Sequence, residues 1–309
     1  LTRIRRAAER ITGRVRRTPL LRSEWLSGIH GGEVWLKCEN LQRTGSFKIR
    51  GALAAIGERG VIAASAGNHG LGLATAARWK GVPCTIVVPR GIPGVKEEKL
   101  RKTGARVIKS PYDGYDDTEA WAREQNSSLG MEWISAYDHP DVIAGNGGTT
   151  ALEIFEERPD LDAVVAPCGG AGLAIGLGVA ARAVSPRTRV IAVNTDASPA
   201  LWASWRDGRA HTRYESSPTV AEGLEGGVSQ INFERSRQFV DDVVVVRESA
   251  IKAAVGDVAR HECLIIEGSA AAGVAAILEG RVSRELRRVA LVLTGGNIDP
   301  SRLASLLVE

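Results

Sequence analysis

A lysine, an asparagine–histidine pair, a glycine-rich turn and a terminal hydroxyl supply the chemistry of this 309-residue chain. Lys48 stands in TGSFKIRGA, Thr44–Ala52. Thr44 or Ser46 can cap the helix that follows, which puts Lys48 in its first turns. There the positive end of the helix dipole disfavours an ammonium, and a crevice would disfavour it further by desolvation. A lysine held neutral in this way suits imine chemistry; outside such a setting it is an ordinary solvated residue.

The second stretch is SAGNHG, Ser65–Gly70. It follows an apolar run and opens a helix, so Asn68 and His69 sit beside free backbone N–H groups that can hold a carboxylate. A plain Asn cap with a structural His reads equally well. The third is PCGGAGL, Pro167–Leu173. A strand, a glycine turn and a helix let backbone N–H groups converge on a phosphate. No GK[ST] follows, and the GxGxxG spacing of a dinucleotide loop is absent. The fourth, TGGN at Thr294–Asn297, ends an apolar run. The Thr294 hydroxyl can meet a ring nitrogen or simply close a turn.

These stretches need elements to hold them. Strands are expected at Val34–Lys37, Val61–Ser65, Thr85–Val88, Arg106–Ile108, Ala163–Ala166, Arg189–Val193, Val243–Val246 and Arg288–Leu293, with helical stretches between most of them. That alternation is the pattern of an α/β fold built on mainly parallel, open twisted sheets flanked by helices. Loops at the carboxyl ends of such strands form the ligand crevice, so the glycine-bearing turns belong to one site. The segment from about Asp207 to Phe233 is read as a long irregular loop near that site or a subunit contact.

Taken in order, the four stretches resemble the fold-type II, tryptophan synthase β-like family of pyridoxal 5′-phosphate (PLP) enzymes, and within it the threonine and serine dehydratases, over the chain from about Thr18 to its end. The family pattern is S-F-K-x-R-G-A, then S-A-G-N-H, a glycine-rich phosphate loop and S/T-G-G-N. The resemblance implies that Lys48 forms the Schiff base with PLP and acts as the catalytic base. It implies that Asn68 contacts the ring 3′-oxygen and that Thr294 faces the pyridine nitrogen. Gly169, Gly170, Ala171 and Gly172 would hold the phosphate, with Phe47 and Leu173 completing the cofactor site. Ser65, Ala66, Gly67, Asn68 and His69 would hold the substrate carboxylate. A neutral hydroxyl at the ring nitrogen leaves the ring a weaker electron sink, which favours β-elimination over transamination. The implied reaction converts L-threonine or L-serine to a 2-oxo acid and ammonia.

The resemblance further implies two lobes. A small mobile one spans residues 45–145 and carries Lys48; a large PLP-binding one combines 1–44 with 146–309. A homodimer or higher homo-oligomer is expected, and no C-terminal regulatory domain.

Several positions depart from the family pattern. Ala66 replaces the serine that serves racemases as a second acid/base, so racemisation is expected to be poor. Ala171 replaces a loop glycine, which narrows the loop or demands a permitted φ. Asn146 and an extra glycine alter the stretch AGNGGTTALE. Asn194 replaces a glutamate that helps bind a divalent cation in metal-activated members, so no metal is expected. Glu267 is either near the cofactor or a helix cap. Glu222 and Glu225, in AEGLEGG where A-D-G is usual, point to a different side chain in the substrate pocket. Dehydration of 3-hydroxyaspartate or phenylserine, racemisation, β-replacement, and a non-catalytic binding protein are the competing readings. The SAGNHG loop opposes β-replacement, and Lys48 opposes loss of catalysis.

Composition sets outer limits. Hydrophobic residues make up 44% and charged residues 25%, and 40 basic against 36 acidic residues give a net charge of only +4. That excess gives no case for nucleic-acid binding. The arginines of the first 17 residues lie among Ile4, Ala7, Ala8, Ile11 and Val15 at helical spacing, as in a helix docked with its basic face in water. The uncharged segment Ala163–Ala181 contains Pro167 and a glycine cluster, so a strand, turn and buried helix are expected rather than a membrane span. Neither a signal peptide nor membrane attachment is expected. Cys38, Cys84, Cys168 and Cys263 are scattered, and are expected to be buried or half-buried thiols in a cytoplasmic protein.

Overall fold

A computed structural model describes residues 1–308. The chain opens with α1 (Thr2–Ile11), β1 (Leu20–Ser23), α2 (Glu24–His30), β2 (Glu33–Lys37) and α3 (Lys48–Ala55). Next come β3 (Val61–Ala64), α4 (Asn68–Lys80), β4 (Cys84–Val88), α5 (Gly94–Arg101), β5 (Arg106–Lys109), α6 (Tyr115–Leu129) and β6 (Glu132–Trp133). Then α7 (Pro140–Ile143), a π-helical turn at Ala144–Gly148 and α8 (Thr149–Glu157) lead to β7 (Ala163–Pro167) and α9 (Gly172–Val184). The remainder is β8 (Arg189–Thr195), α10 (Ala200–Asp207), α11 (Gln230–Phe239), β9 (Asp242–Val246), α12 (Glu248–Glu262), α13 (Gly268–Leu278), β10 (Arg288–Val292) and α14 (Pro300–Val308).

Two sheets result. The larger runs β1-β2-β10-β7-β8-β9 and the smaller β5-β4-β3-β6. All pairs are parallel except β1 with β2. β3, β4 and β7 are buried along their whole length, as parallel strands covered by helices on both faces must be. Their sequences accordingly read as unbroken apolar runs. All eight expected strands are present, with ends within two residues of the expectation. β1 and β6 were not expected. β1 is four residues with burial at its ends only, and β6 is two residues added to the edge of β3; neither is long enough to display a period.

α1 buries Ile4, Ala7 and Ile11 and turns its arginines outward, as its pattern requires. Arg3 and Arg6 reach Asp141 at 2.7 and 3.3 Å, and Arg10 donates to the Ala54 carbonyl at 2.7 Å. The Ala163–Ala181 segment is β7, a turn and the start of α9. No described helix is long and apolar enough to cross a membrane. The long irregular segment is shorter than expected: only a 3-10 turn at Glu222–Leu224 lies between α10 and α11, and Phe233 is already helical. Cys38, Cys84 and Cys168 are buried, but Cys263 is exposed at the left-handed end of α12 (φ 54°), against the expectation of burial.

A buried ionic cluster fixes the helix that begins with Lys48. Arg50 donates to both oxygens of Glu39 at 2.7 and 2.9 Å and to both oxygens of Glu153 at 2.7 and 2.9 Å. Lys37 donates to Glu153 and to the Thr18 carbonyl, each at 2.7 Å. Two cations thus face two carboxylates, and the remaining donors are spent on backbone and hydroxyl groups, the condition under which buried charge is tolerated.

Candidate active site

Lys48 is the first residue of α3, and Phe47 is its N-cap. Neither Thr44 nor Ser46 caps this helix. The Thr44 hydroxyl points back to the Ser46 carbonyl at 3.4 Å, and the Ser46 hydroxyl is buried without a partner. The segment is held instead by the fourth motif. Phe47 N–H donates to the Thr294 carbonyl at 3.1 Å, Gly296 N–H donates to the Gly45 carbonyl at 2.9 Å, and Ser46 and Gly295 form an isolated bridge. The first and last motifs, nearly the whole chain apart, are thereby one unit.

The Lys48 Nζ donates to the Ala136 carbonyl at 3.0 Å and lies 5.2 and 5.5 Å from the ring centroids of Phe47 and Tyr137. Burial pushes this amine down to about 8, against the opposing pull of the Glu267 carboxylate. A minor fraction is therefore neutral near neutral pH, through desolvation, the second of the two causes weighed from sequence, and not through the helix dipole.

Asn68 is the first residue of α4. Its Nδ2 donates to Glu267 Oε1 at 2.7 Å, and its Oδ1 accepts from Asn297 Nδ2 at 2.7 Å. Asn297 Nδ2 also donates to the Thr44 carbonyl at 2.8 Å, and Asn297 Oδ1 accepts from Lys99 at 2.7 Å. Glu267 precedes α13 but makes no side-chain cap; its carboxylate turns into the site, where burial raises its proton affinity and Asn68 opposes the rise. Of the two readings of Glu267, the cap is excluded.

Ser65 and Ala66 are half-buried and Gly67 is exposed, so this loop opens to solvent ahead of α4. His69 is different. Its Nε2 lies 2.9 Å from the Ile134 carbonyl and its Nδ1 is buried without a partner. The Nε2 therefore carries the hydrogen. Burial, with the charge of Lys48 acting in the same direction, pushes His69 down to about 3, so its ring is neutral and presents no cation to a carboxylate.

The glycine turn joins β7 to α9, with Ala171 as N-cap in the left-handed region (φ 67°). Of the two possibilities raised by its methyl group, the structure shows the demanding φ. The turn is tight. A Cβ at Gly170 would lie 2.7 Å from the Tyr137 ring, and one at Gly172 would lie 2.3 Å from the Tyr137 carbonyl oxygen. Asn232, buried in α11, donates to the carbonyls of Gly170 (2.7 Å) and Tyr137 (3.0 Å). Tyr137 thus touches both the glycine turn and the lysine. Leu173 is buried in the first turn of α9, and Thr294 is buried just past β10.

Three residues expected to alter the site are placed as follows. Asn194 spends its amide on structure, donating to the Cys168 carbonyl at 2.6 Å and accepting from Trp202 N–H at 3.0 Å. Glu222 accepts from Lys96 of α5 and Arg302 of α14, each at 2.7 Å. Asn146 accepts from Gly51 N–H at 2.8 Å, so it braces α3. No group of three or more His, Cys, Asp or Glu among the described residues is disposed to hold a metal ion. Sequence reading missed Tyr137, Asn232, Lys99 and Asn297 as members of this neighbourhood. Only Asn297 carried a signal, as the last letter of TGGN.

The arrangement fits a phosphate-bearing aldehyde. A depressed amine answers the aldehyde, and the N-terminus of the 13-residue α9, approached through glycines, answers the dianion. Asn68 brings a neutral amide to Glu267, and the Thr294 carbonyl holds Phe47 next to the lysine. The comparisons agree. The family model described as "Pyridoxal-phosphate dependent enzyme" matches residues 11–295. An L-threonine ammonia-lyase of Thermotoga maritima is 42% identical over 306 residues, covering 96% of this chain and 75% of its own. A catabolic L-threonine dehydratase of Escherichia coli K12 is 35% identical, covering 97% of this chain and 93% of its own. The crystal structure of a serine racemase from Dictyostelium discoideum superposes with a TM-score of 0.88 at 33% identity, covering 96% of this chain and 98% of that one. With amine, anion cradle and family model falling on the same stretch of sequence, the chain belongs to the pyridoxal-phosphate dependent enzymes and takes PLP as its cofactor.

Proposed function

We propose that the chain is an ammonia-lyase that converts L-threonine or L-serine to a 2-oxo acid and ammonia. The observation that carries this reading is the Lys48 amine, desolvated to about 8 and set between the Asn68–Glu267 pair and Tyr137.

Lys48 would hold the cofactor through Nζ, and Gly169, Gly170, Ala171, Gly172 and Leu173 would hold its phosphate. Phe47, Asn68 and Thr294 would line its ring. When bound, PLP supplies the electron sink that makes the substrate Cα proton removable. The protein supplies the rest. Lys48 Nζ is basic enough to accept the Cα proton, yet neutral often enough to be ready for it. Ser65, Ala66, Gly67, Asn68 and His69 surround the start of α4, whose free N–H groups orient the substrate carboxylate. His69, held neutral, serves there as a wall. Ala66 offers no hydroxyl to reprotonate Cα from the opposite face, which favours loss of the β-hydroxyl over racemisation.

Residues 45–145, which carry Lys48, form the lobe that closes over the substrate in this reading, while 1–44 and 146–309 form the larger lobe with the phosphate turn and Thr294. Closure keeps water from the reaction until the product is released. Three unpaired buried cysteines suit a cytoplasmic enzyme, and family resemblance suits a homo-oligomer.

The test is to incubate purified protein with threonine, serine, 3-hydroxyaspartate and phenylserine, recording 2-oxo acid, ammonia and PLP absorbance. Threonine or serine should give equal amounts of 2-oxo acid and ammonia, and Lys48→Ala should abolish both products and the bound-cofactor absorbance. A Lys48→Ala protein with full activity would overturn the mechanism, and turnover of only another member of the panel would overturn the substrate.

A further inference from the structure

We infer that Lys99 is a positioning residue for this site: from α5 it fixes, through Asn297, which end of the Asn68 amide is presented to the cofactor. The inference rests on the reading that the site takes PLP, and deepens it.

An asparagine side chain has a donor end and an acceptor end of nearly equal shape, and only its partners decide which end faces where. Here the partners form a directed chain. The Lys99 ammonium can only donate, so it takes Asn297 Oδ1 at 2.7 Å. Asn297 Nδ2 then faces two acceptors, the Thr44 carbonyl at 2.8 Å and Asn68 Oδ1 at 2.7 Å. Asn68 Nδ2 is left to face Glu267 at 2.7 Å. An amide nitrogen carries two hydrogens. One is spent on Glu267, and the other remains for an oxygen of the cofactor ring.

Both ends of the chain matter because neither is secure alone. Glu267 is buried and its proton affinity is raised; once protonated, it can donate as well as accept and no longer sets the direction. The Thr44 carbonyl directs Asn297 with neutral strength only. Lys99 adds a charged donor, and hydrogen bonds to charged groups are roughly twice as strong as neutral ones. Lys99 also lies on the helix that carries Lys96, one turn away, which pairs with Glu222. Seating α5 against the loops of the larger sheet therefore places the Lys99 charge and orients Asn68 in one movement.

Lys99 is exposed, so replacing it leaves the fold intact. The experiment compares Lys99→Arg, Lys99→Met and Lys99→Glu with wild type, reading the absorbance maximum of bound PLP, the PLP dissociation constant by fluorescence, and kcat. Lys102→Glu, at the C-cap of the same helix and paired outward with Glu98, is the charge control. Lys99→Arg should stay within about twofold of wild type, since it keeps a charged donor. Lys99→Met should weaken PLP binding by about threefold, with the Thr44 carbonyl still directing Asn297. Lys99→Glu, an acceptor that opposes that direction, should weaken it by about tenfold or more and shift the absorbance. A Lys102→Glu protein as impaired as Lys99→Glu would reduce the effect to net charge and overturn the inference. So would Lys99→Met and Lys99→Glu proteins that match a PLP-binding wild type. A wild type that takes up no PLP would overturn the cofactor reading itself, and this inference with it.

Discussion

Arg50 and Glu39 face each other with two hydrogen bonds, at 2.7 and 2.9 Å, and neither side chain is exposed at all. This pair, two residues past Lys48, is the reason for the arginine in SFKIRG. Burial of Glu39 would raise its proton affinity, yet Arg50 and Thr18 hold it below the usual carboxylate range. Arg50→Ala leaves Glu39 as a buried carboxylate with only the Thr18 hydroxyl as side-chain partner, while Glu153 keeps Lys37. It should destabilise the protein by about 3–5 kcal/mol, measured by urea unfolding at pH 7. A loss below about 1 kcal/mol would mean that water or Lys37 replaces the guanidinium.

Lys48 gives a pH signature that does not depend on turnover. Its amine titrates at about 8 in the folded chain, against an ordinary value of 10.5. Below pH 8 both folded and unfolded chains carry the proton, and the fold bears the full cost of a desolvated ammonium. Between 8 and 10.5 the unfolded chain binds the proton and the folded chain does not, so raising the pH stabilises the fold. In PLP-free protein, Lys48→Met should therefore be more stable than wild type at pH 7, by roughly 3 kcal/mol. That advantage should shrink as the pH climbs from 8 towards 10.5. A difference that stays constant across this window would show that Lys48 titrates normally.

The sequence displayed its fold where burial is two-sided. VIAA of β3, CTIVV of β4 and AVVAP of β7 are apolar without interruption because helices cover both faces. β6 had no such mark, since two residues cannot show a pattern. The site was legible wherever one short segment carries both the side chain and the turn that presents it, as at Lys48, Asn68 and the glycine turn. It was illegible where contact joins distant segments. Asn232 falls within the segment read as an irregular loop, yet it staples Tyr137 to Gly170. The carbonyl that receives the Lys48 amine belongs to Ala136, 88 residues away, and a backbone carbonyl leaves no trace in residue type. Thr44 and Ser46 misled for a related reason: a tertiary bond from Phe47 N–H to the Thr294 carbonyl did the work assigned to a local cap.

Ala171 holds a φ of 67° at the head of α9. A left-handed residue with a Cβ costs roughly 1–2 kcal/mol, while a glycine there would be unstrained but lose more entropy on folding, by roughly 0.5–1 kcal/mol. Ala171→Gly should thus stabilise the protein slightly and raise its melting temperature by about one or two degrees, with PLP bound at least as tightly. A fall in melting temperature would mean that the packing of the Ala171 methyl outweighs its backbone strain.

Glu222 joins α5, beside the smaller sheet, to α14, beyond the last strand of the larger one, through Lys96 and Arg302 at 2.7 Å each. All three side chains are between 40 and 48% exposed, so the triad adds little to stability, under about 1 kcal/mol. On the proposed closure of residues 45–145, its consequence is how readily α5 seats over the site. Opposite charges that are this exposed are screened by salt over about 10 Å at 0.1 M ionic strength. Wild type should therefore show a threonine KM that rises several-fold between 0.05 and 0.5 M salt, as estimated from that screening. Glu222→Gln should start with the raised KM and respond little to salt, while its melting temperature stays within about two degrees of wild type. If the KM values and their salt dependence coincide, the triad is a surface ion pair without a part in closure; if only the wild type responds, Lys96 and Arg302 act through Glu222 to hold the closed form.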